Sequence, residues 1–178
     1  MKVCAITGHR PTRFKFKYDE SNNGCKRLKK RLREQIELLY AQGIRCYCTG
    51  GAMGVDIWAS EILMALKETP GYSDIELILA LPFQGYDAGW DPKSCRRLET
   101  LKRKSAAVRF IGTRDISPAV CYRLRNQYMV DHADCLLAVY DNNQKDRSGT
   151  GMAVHYAKKK GIPVTLIHPD TVAVSSLA

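Results

Sequence analysis

Short apolar runs alternate with amphipathic stretches along the whole chain. The runs at residues 3–7, 44–49, 75–81, 107–111, 135–140 and 162–167 are bounded by Gly, Pro, Asp or Asn. Apolar at nearly every position, they read as buried strands of a parallel sheet covered on both faces. Between the first two, Leu28, Leu32, Ile36, Leu39 and Tyr40 lie four, four, three and one residues apart. That spacing makes one apolar stripe on a helix whose opposite face is basic. Further helices are predicted at 55–67, 92–104, 118–132 and 151–160. Pro118 suits a first helical turn, and Gly161 suits a helix C-cap, with Ile162-Pro163 leading into the last strand. The alternation predicts an α/β fold: a Rossmann-like, three-layer, doubly wound and mostly parallel sheet. One domain is expected over residues 1–168, with 169–178 as a loosely held tail.

Composition narrows the class. The chain has 178 residues, of which 45% are hydrophobic, too apolar for a disordered segment. No apolar run approaches the roughly 20 residues that span a bilayer. The first eight residues read as a strand and a turn, without the apolar stretch of a signal peptide. Seven cysteines, an odd number without framework spacing, point to free thiols in a reducing compartment, so a cytoplasmic location is expected. Membrane, collagenous and disulfide-scaffold classes are excluded.

The net charge of +10 is unevenly placed. Residues 9–33 hold ten Lys or Arg and two acids, and residues 93–109 hold seven and one, so the rest of the chain is net negative. Both basic segments could attract phosphate-bearing partners, or simply be solvated helix faces.

In such a sheet, ligands bind at the carboxyl ends of the strands, near the point where strand order reverses. The unusual residues fall in loops that meet that edge: Thr7-Gly8-His9-Arg10-Pro11, Thr49-Gly50-Gly51-Ala52-Met53-Gly54-Val55-Asp56, Pro82-Phe83-Gln84-Gly85, and Asp141-Asn142-Asn143 followed by Ser148-Gly149-Thr150-Gly151. Glycines before a helix let backbone N–H groups approach a phosphate, and the helix N-terminus adds partial positive charge. Gly50, Gly51, Gly54, Gly149, Thr150 and Gly151 are therefore expected to hold phosphates, with Gly8, His9, Arg10 and Arg125 beside them. Asp56 is expected to accept from a ribose hydroxyl, and Phe83 or Trp90 to flank a base. The alternatives are glycines serving tight turns, Asp56 complementing a helix dipole and Trp90 packing its own loop.

Several chemistries lack their residues. There is no G-x-x-x-x-G-K-[ST] and no G-x-G-x-x-G after the first strand. Cys46 and Cys48 share a strand face with no metal-ligand spacing, so no metal site is expected. No G-x-S-x-G elbow is present, and Asp134 and Asp141 lie at opposite ends of one strand, too far apart for a glycosidase pair.

Taken together, Ile6-Thr7-Gly8-His9-Arg10, the 49–56 loop, Arg125-Asn126-Gln127-Tyr128-Met129-Val130 with Ala133-Asp134, and Ser148-Gly149-Thr150-Gly151 resemble the YpsA-like family, a bacterial branch of the SLOG superfamily. Its relatives include the lonely guy phosphoribohydrolases and DprA. The resemblance runs from Ile6 to about Ile167 and implies binding of a nucleotide-derived ligand such as ADP-ribose or NAD, with no cofactor required. It also implies a homodimer as an oligomeric option. The lonely guy enzymes carry a catalytic Arg four residues before a Met, which Arg125 and Met129 match. Their P-G-G-x-G-T-x-x-E motif is degenerate here: two glycines remain, Met152 replaces the Thr and His155 replaces the Glu. Breaking a ribosyl C–N bond builds positive charge that a carboxylate stabilises, and a histidine offers no fixed negative charge. Binding is thus expected over hydrolysis. The hydrolase reading keeps Arg125 as electrophile with Asp56 as substitute carboxylate. A third reading, single-stranded DNA binding as in DprA, rests on the basic segment 9–33.

Overall fold

The computed structural model describes residues 1–145 and 147–177. Seven strands form one sheet: β1 (Val3–Gly8), β2 (Cys46–Thr49), β3 (Glu76–Leu81), β4 (Ala107–Phe110), β5 (Cys135–Val139), β6 (Val164–Ile167) and β7 (Val174–Leu177). Their order is β4-β3-β2-β1-β5-β6-β7. All pairings are parallel except β6–β7. Five helices connect them: α1 (Asn23–Ala41), α2 (Val55–Lys67), α3 (Pro92–Lys104), α4 (Pro118–Asp131) and α5 (Gly149–Lys160).

Because successive strand residues face opposite ways, the strands feed two cores. On one face Cys4, Ile6, Tyr47, Leu77, Leu79, Leu81, Leu137 and Val139 pack with the α1 stripe Leu28, Leu32 and Ile36 and with α2 and α3. On the other, Ala5, Cys48, Ala80, Leu136 and Ala138 meet Met129 and Val130 of α4 and Ala153, Val154 and Ala157 of α5. The small residues of this second face let α4 and α5 settle close to the strands. Strand order reverses between β1 and β5, so the crevice of a doubly wound sheet opens there, at the carboxyl ends of both. The cysteines are free thiols, and no described helix is long and apolar enough to cross a membrane.

One expectation is corrected. Residues 174–177 do not hang as a loose tail but add an antiparallel strand, with Val164 opposite Leu177 and Ile167 opposite Val174. The turn that returns the chain is built around His168. Its Nδ1 accepts from the Asp170 and Thr171 N–H groups at 3.2 and 3.3 Å, and its own N–H donates to Ala173 O at 2.8 Å.

Candidate functional site

The loops after β1, β2 and β5 converge on the crevice, and α4 is the element that joins them. Arg125 stands on the buried side of α4, 4% exposed. Its Nη1 donates to the Gly50 carbonyl, its Nε donates to Asn126 Oδ1 at 2.8 Å, and Nη1 lies 3.8 Å from Asp56 Oδ2. Asn126 in turn donates to Gly149 O at 3.3 Å. One guanidinium and one amide thus tie the β2–α2 turn to the first turn of α5.

Gly50 is required by that contact, since a Cβ there would fall 2.1 Å from Arg125 Nη1. Gly54 is required by its backbone: φ is +93°, and a Cβ would lie 2.7 Å from the His9 carbonyl. That carbonyl accepts from Val55 N at 3.5 Å, so the chain at 9–11 sits over the start of α2. Gly51 lies beneath Leu81 and Tyr86, whose hydroxyl donates to its carbonyl at 2.6 Å. Gly50, Gly51 and Gly54 are all buried, and Gly8 packs on Val55.

Asp56, in the first turn of α2, is 4% exposed. Oδ2 accepts from Ala52 N at 3.2 Å, while Oδ1 accepts no hydrogen bond from any described residue. Burial pushes its carboxyl above the usual carboxylate range; Arg125 first, then the Ala52 N–H, Arg10 and the Gly50 N–H oppose that shift. Nearby, burial pushes the Cys48 thiol up to about 12, so it is an inert core group.

Above this floor lies a groove of about 760 Å³ between α4 and α5. Tyr122, Arg123 and Asn126 line it from α4, Tyr140 and Asn142 from the end of β5, and Arg147, Ser148, Gly149, Gly151, Met152 and His155 from the start of α5. Ser148 caps α5, accepting from Gly151 N at 3.0 Å. The N–H groups of Gly149 and Thr150 precede any possible helical partner, the position at which helix N-termini take anions. Thr150 itself is buried. Tyr122 is flanked by cations: Arg10 Cζ lies 4.9 Å and Arg125 Cζ 5.7 Å from its ring centroid. His9, also buried, meets Tyr140 edge-on at 5.6 Å, and its Nε2 lies 3.9 Å from Asp141 Oδ1, spanning the β1–β5 junction.

The structure therefore brings Gly8, His9, Arg10, Gly50, Gly54, Asp56, Arg125, Gly149, Thr150 and Gly151 to one edge. It separates them into a buried floor (Gly50, Gly54, Asp56, Arg125) and an open groove (Gly149, Gly151). Phe83 and Trp90 do not reach the groove. They pack around Tyr86 with ring centroids at 6.3 and 5.5 Å, and Phe83 touches the lining only through Tyr122, 6.4 Å away. Sequence reasoning missed Tyr122, Arg123, Arg147 and Met152. A signal existed for Tyr122: it precedes Arg125 by three and Asn126 by four, the spacing that puts side chains on one helix surface.

A family model described as the YspA SLOG family matches residues 4–172. The chain belongs to that family. The UPF0398 protein of Bacillus thuringiensis (strain Al Hakam) is 30% identical over 162 residues, 90% of this chain and 85% of that protein. Among solved structures, DNA processing protein A (DprA) from Streptococcus pneumoniae matches this SLOG chain with a TM-score of 0.60 and 15% identity. DprA from Helicobacter pylori matches with 0.57 and 19%. The matches cover 93% of this chain but 50% and 64% of those proteins. At such identities the likeness is one of fold. The Helicobacter protein is described as binding single-stranded DNA.

Proposed function

We propose that this SLOG chain binds a nucleotide-derived anion in the groove between α4 and α5. The carrying observation is the first turn of α5. It opens on a groove of about 760 Å³ at the reversal of strand order, with Arg123 and Arg147 among the lining residues. The volume falls in the range of small-molecule sites. Phosphate oxygens meet the α5 N-terminus and the rim arginines, and the ring of Tyr122 and the thioether of Met152 offer an apolar surface to a base. The buried floor positions: Arg125 holds Gly50 in register without lining the groove, and Asn126, at the groove wall, ties in Gly149.

Binding without turnover is favoured by what the groove presents. His155, where the lonely guy pattern has Glu, lines it, and none of the described lining residues is acidic. A carboxylate able to stabilise positive charge on a ribose is thus absent among them, Asp56 belonging to the buried floor and not to the lining.

The test is a thermal-shift panel with AMP, ATP, NAD and ADP-ribose on the wild type and on Arg147→Ala. A ligand at a hundred times its dissociation constant adds about 2.7 kcal/mol, a rise of about 5–10 °C for this size. The expected result is a shift confined to one nucleotide class, reduced in the variant, with no free base released on long incubation. A flat panel overturns the binding reading, and base release overturns the preference for binding.

A further inference from the structure

The edge of the sheet opposite the groove carries a pair of thiols that nucleotide binding does not use. Cys4, in β1, and Cys135, the first residue of β5, are register partners on adjacent parallel strands. Hydrogen-bonded strands lie about 4.8 Å apart, inside the roughly 4.4–6.8 Å of Cα separation that a disulfide bridges. Both side chains project on one face of the sheet, Cys4 within the core shared with α1 and α2 and Cys135 packed against it. The junction is fastened beside them: Val3 N donates to Asp134 Oδ2 at 2.7 Å, and Asp134 N donates to Val3 O at 2.8 Å. Paired backbone, not a flexible loop, therefore keeps the two residues level.

Their surroundings differ in the way that divides a reactive thiol from a resolving one. Cys4 is fully buried, whereas Cys135 is partly exposed. The Cys4 S–H has two acceptors in reach, the Ala5 carbonyl at 3.4 Å and the Cys135 sulfur. A hydrogen bond from Cys4 is the largest influence on Cys135 and holds its thiol below the usual range, opposed by burial and Asp134 and helped by Lys2. The same bond, and then burial, raises Cys4. The thiolate is the nucleophilic form of a cysteine, so the proton stays on the inner sulfur and reactivity falls on the outer one. The other thiols lack this arrangement. Burial raises Cys25, Cys46 and Cys48, while Cys95 and Cys121 donate to backbone carbonyls.

We infer that Cys135 and Cys4 form a hydroperoxide-reactive pair that closes to a disulfide and is reopened by a dithiol. The Cys135 thiolate attacks the peroxide: an S–O bond forms, the O–O bond breaks, and hydroxide leaves and takes up the proton that Cys135 released. The Cys4 sulfur then attacks the sulfenic sulfur. The S–S bond forms, the S–O bond breaks, and the Cys4 proton departs with the hydroxyl as water. Two thiols are oxidised to one disulfide, and one peroxide is reduced to two waters. The bond ties β1 to β5 across 131 residues of sequence, along the strand whose other end leads to Tyr140 in the groove wall.

The test is non-reducing peptide mapping of the folded full chain after exposure to hydrogen peroxide, with the remaining thiols alkylated before digestion. The wild type is expected to lose two hydrogens in mass and two of its seven thiols, with Cys4 linked to Cys135 and both restored by dithiothreitol. Cys135→Ser is expected to consume peroxide about tenfold more slowly. Cys4→Ala keeps the core apolar but removes both the proton donor and the resolving sulfur. It is expected to react more slowly, yet to accumulate about fivefold more dimedone-trapped sulfenic acid at Cys135 than wild type. No disulfide in the wild type, a link between any other pair or between two chains, or an unslowed Cys135→Ser overturns the inference. So does Cys4→Ala without a sulfenic acid at Cys135, or a wild-type disulfide that forms only in urea. The wild-type map decides by itself if either variant melts early.

Discussion

Arg125→Met removes the guanidinium that faces Asp56 and bonds Gly50 while keeping much of the side chain's volume. Two buried groups lose their partner: the Gly50 carbonyl, and a carboxylate 4% exposed whose nearest described cation is at 3.8 Å. Stripping one member from a buried charge pair costs about 3–5 kcal/mol, mostly for the charge left behind. For a chain of this size that corresponds to about 6–20 °C in Tm. The loss should itself depend on pH. Asp56 is already raised in the folded state by burial, with Arg125 the main opposing influence, so removing the cation raises it further. A group that holds its proton more tightly folded than unfolded destabilises the fold above its folded pKa, and that penalty disappears as pH falls toward the unfolded value near 3.8. Calorimetric melts of wild type and variant at pH 7.5 and 5.0 should therefore show the larger gap at 7.5. Adding Asp56→Asn should recover part of it. A gap under about 1 kcal/mol that is the same at both pH values would refute the assignment of Arg125 as counter-charge of the floor.

Other perturbations follow from single contacts. Gly54→Ala forces a side chain into a left-handed backbone position 2.7 Å from the His9 carbonyl, and denaturant unfolding should show a loss of about 2–4 kcal/mol. Burial alone would raise Glu20, but Arg97 and Lys29 hold it down to about 2. The stability it contributes is present above its unfolded value of 4.5 and lost as pH falls toward 2. Glu20→Gln should cost about 1–2 kcal/mol at pH 7 and flatten the acid limb of the stability curve. His168→Ala removes the acceptor of two turn N–H groups, and faster hydrogen exchange should be confined to the β6–β7 hairpin.

Most of the framework could be read from the chain because buried parallel strands carry their own signature. The helices α2 and α3 lie where periodicity put them, and α5 begins two residues earlier than expected because Ser148, not a glycine, is its cap. The first residues of the 44–49 run fall in a turn, where Ile44 N donates to Leu39 O at 3.0 Å, so β2 starts at Cys46. β7 was invisible for a physical reason: Val174-Ser175-Ser176 is exposed throughout and forms its pairing with β6 without an apolar run. At the site, the glycine-rich turns located the correct edge. What they could not convey is that 9–11 would cover the start of α2 while α5 stayed open. Residues such as Tyr122 and Met152 enter the site only through the confrontation of α4 with α5, which no local pattern encodes.

The placement of β1 at the centre of the sheet has a consequence for how the protein is made. One neighbour, β2, follows within about forty residues, but the other is β5, and Val3 donates to an Asp134 carboxylate 131 residues along the chain. At a synthesis rate of about 5–20 residues per second, roughly 7–26 s separate the two. Throughout that interval the apolar edge Cys4-Ala5-Ile6 waits beside the ribosome with one side of its ladder unpaired, an open template for another nascent chain.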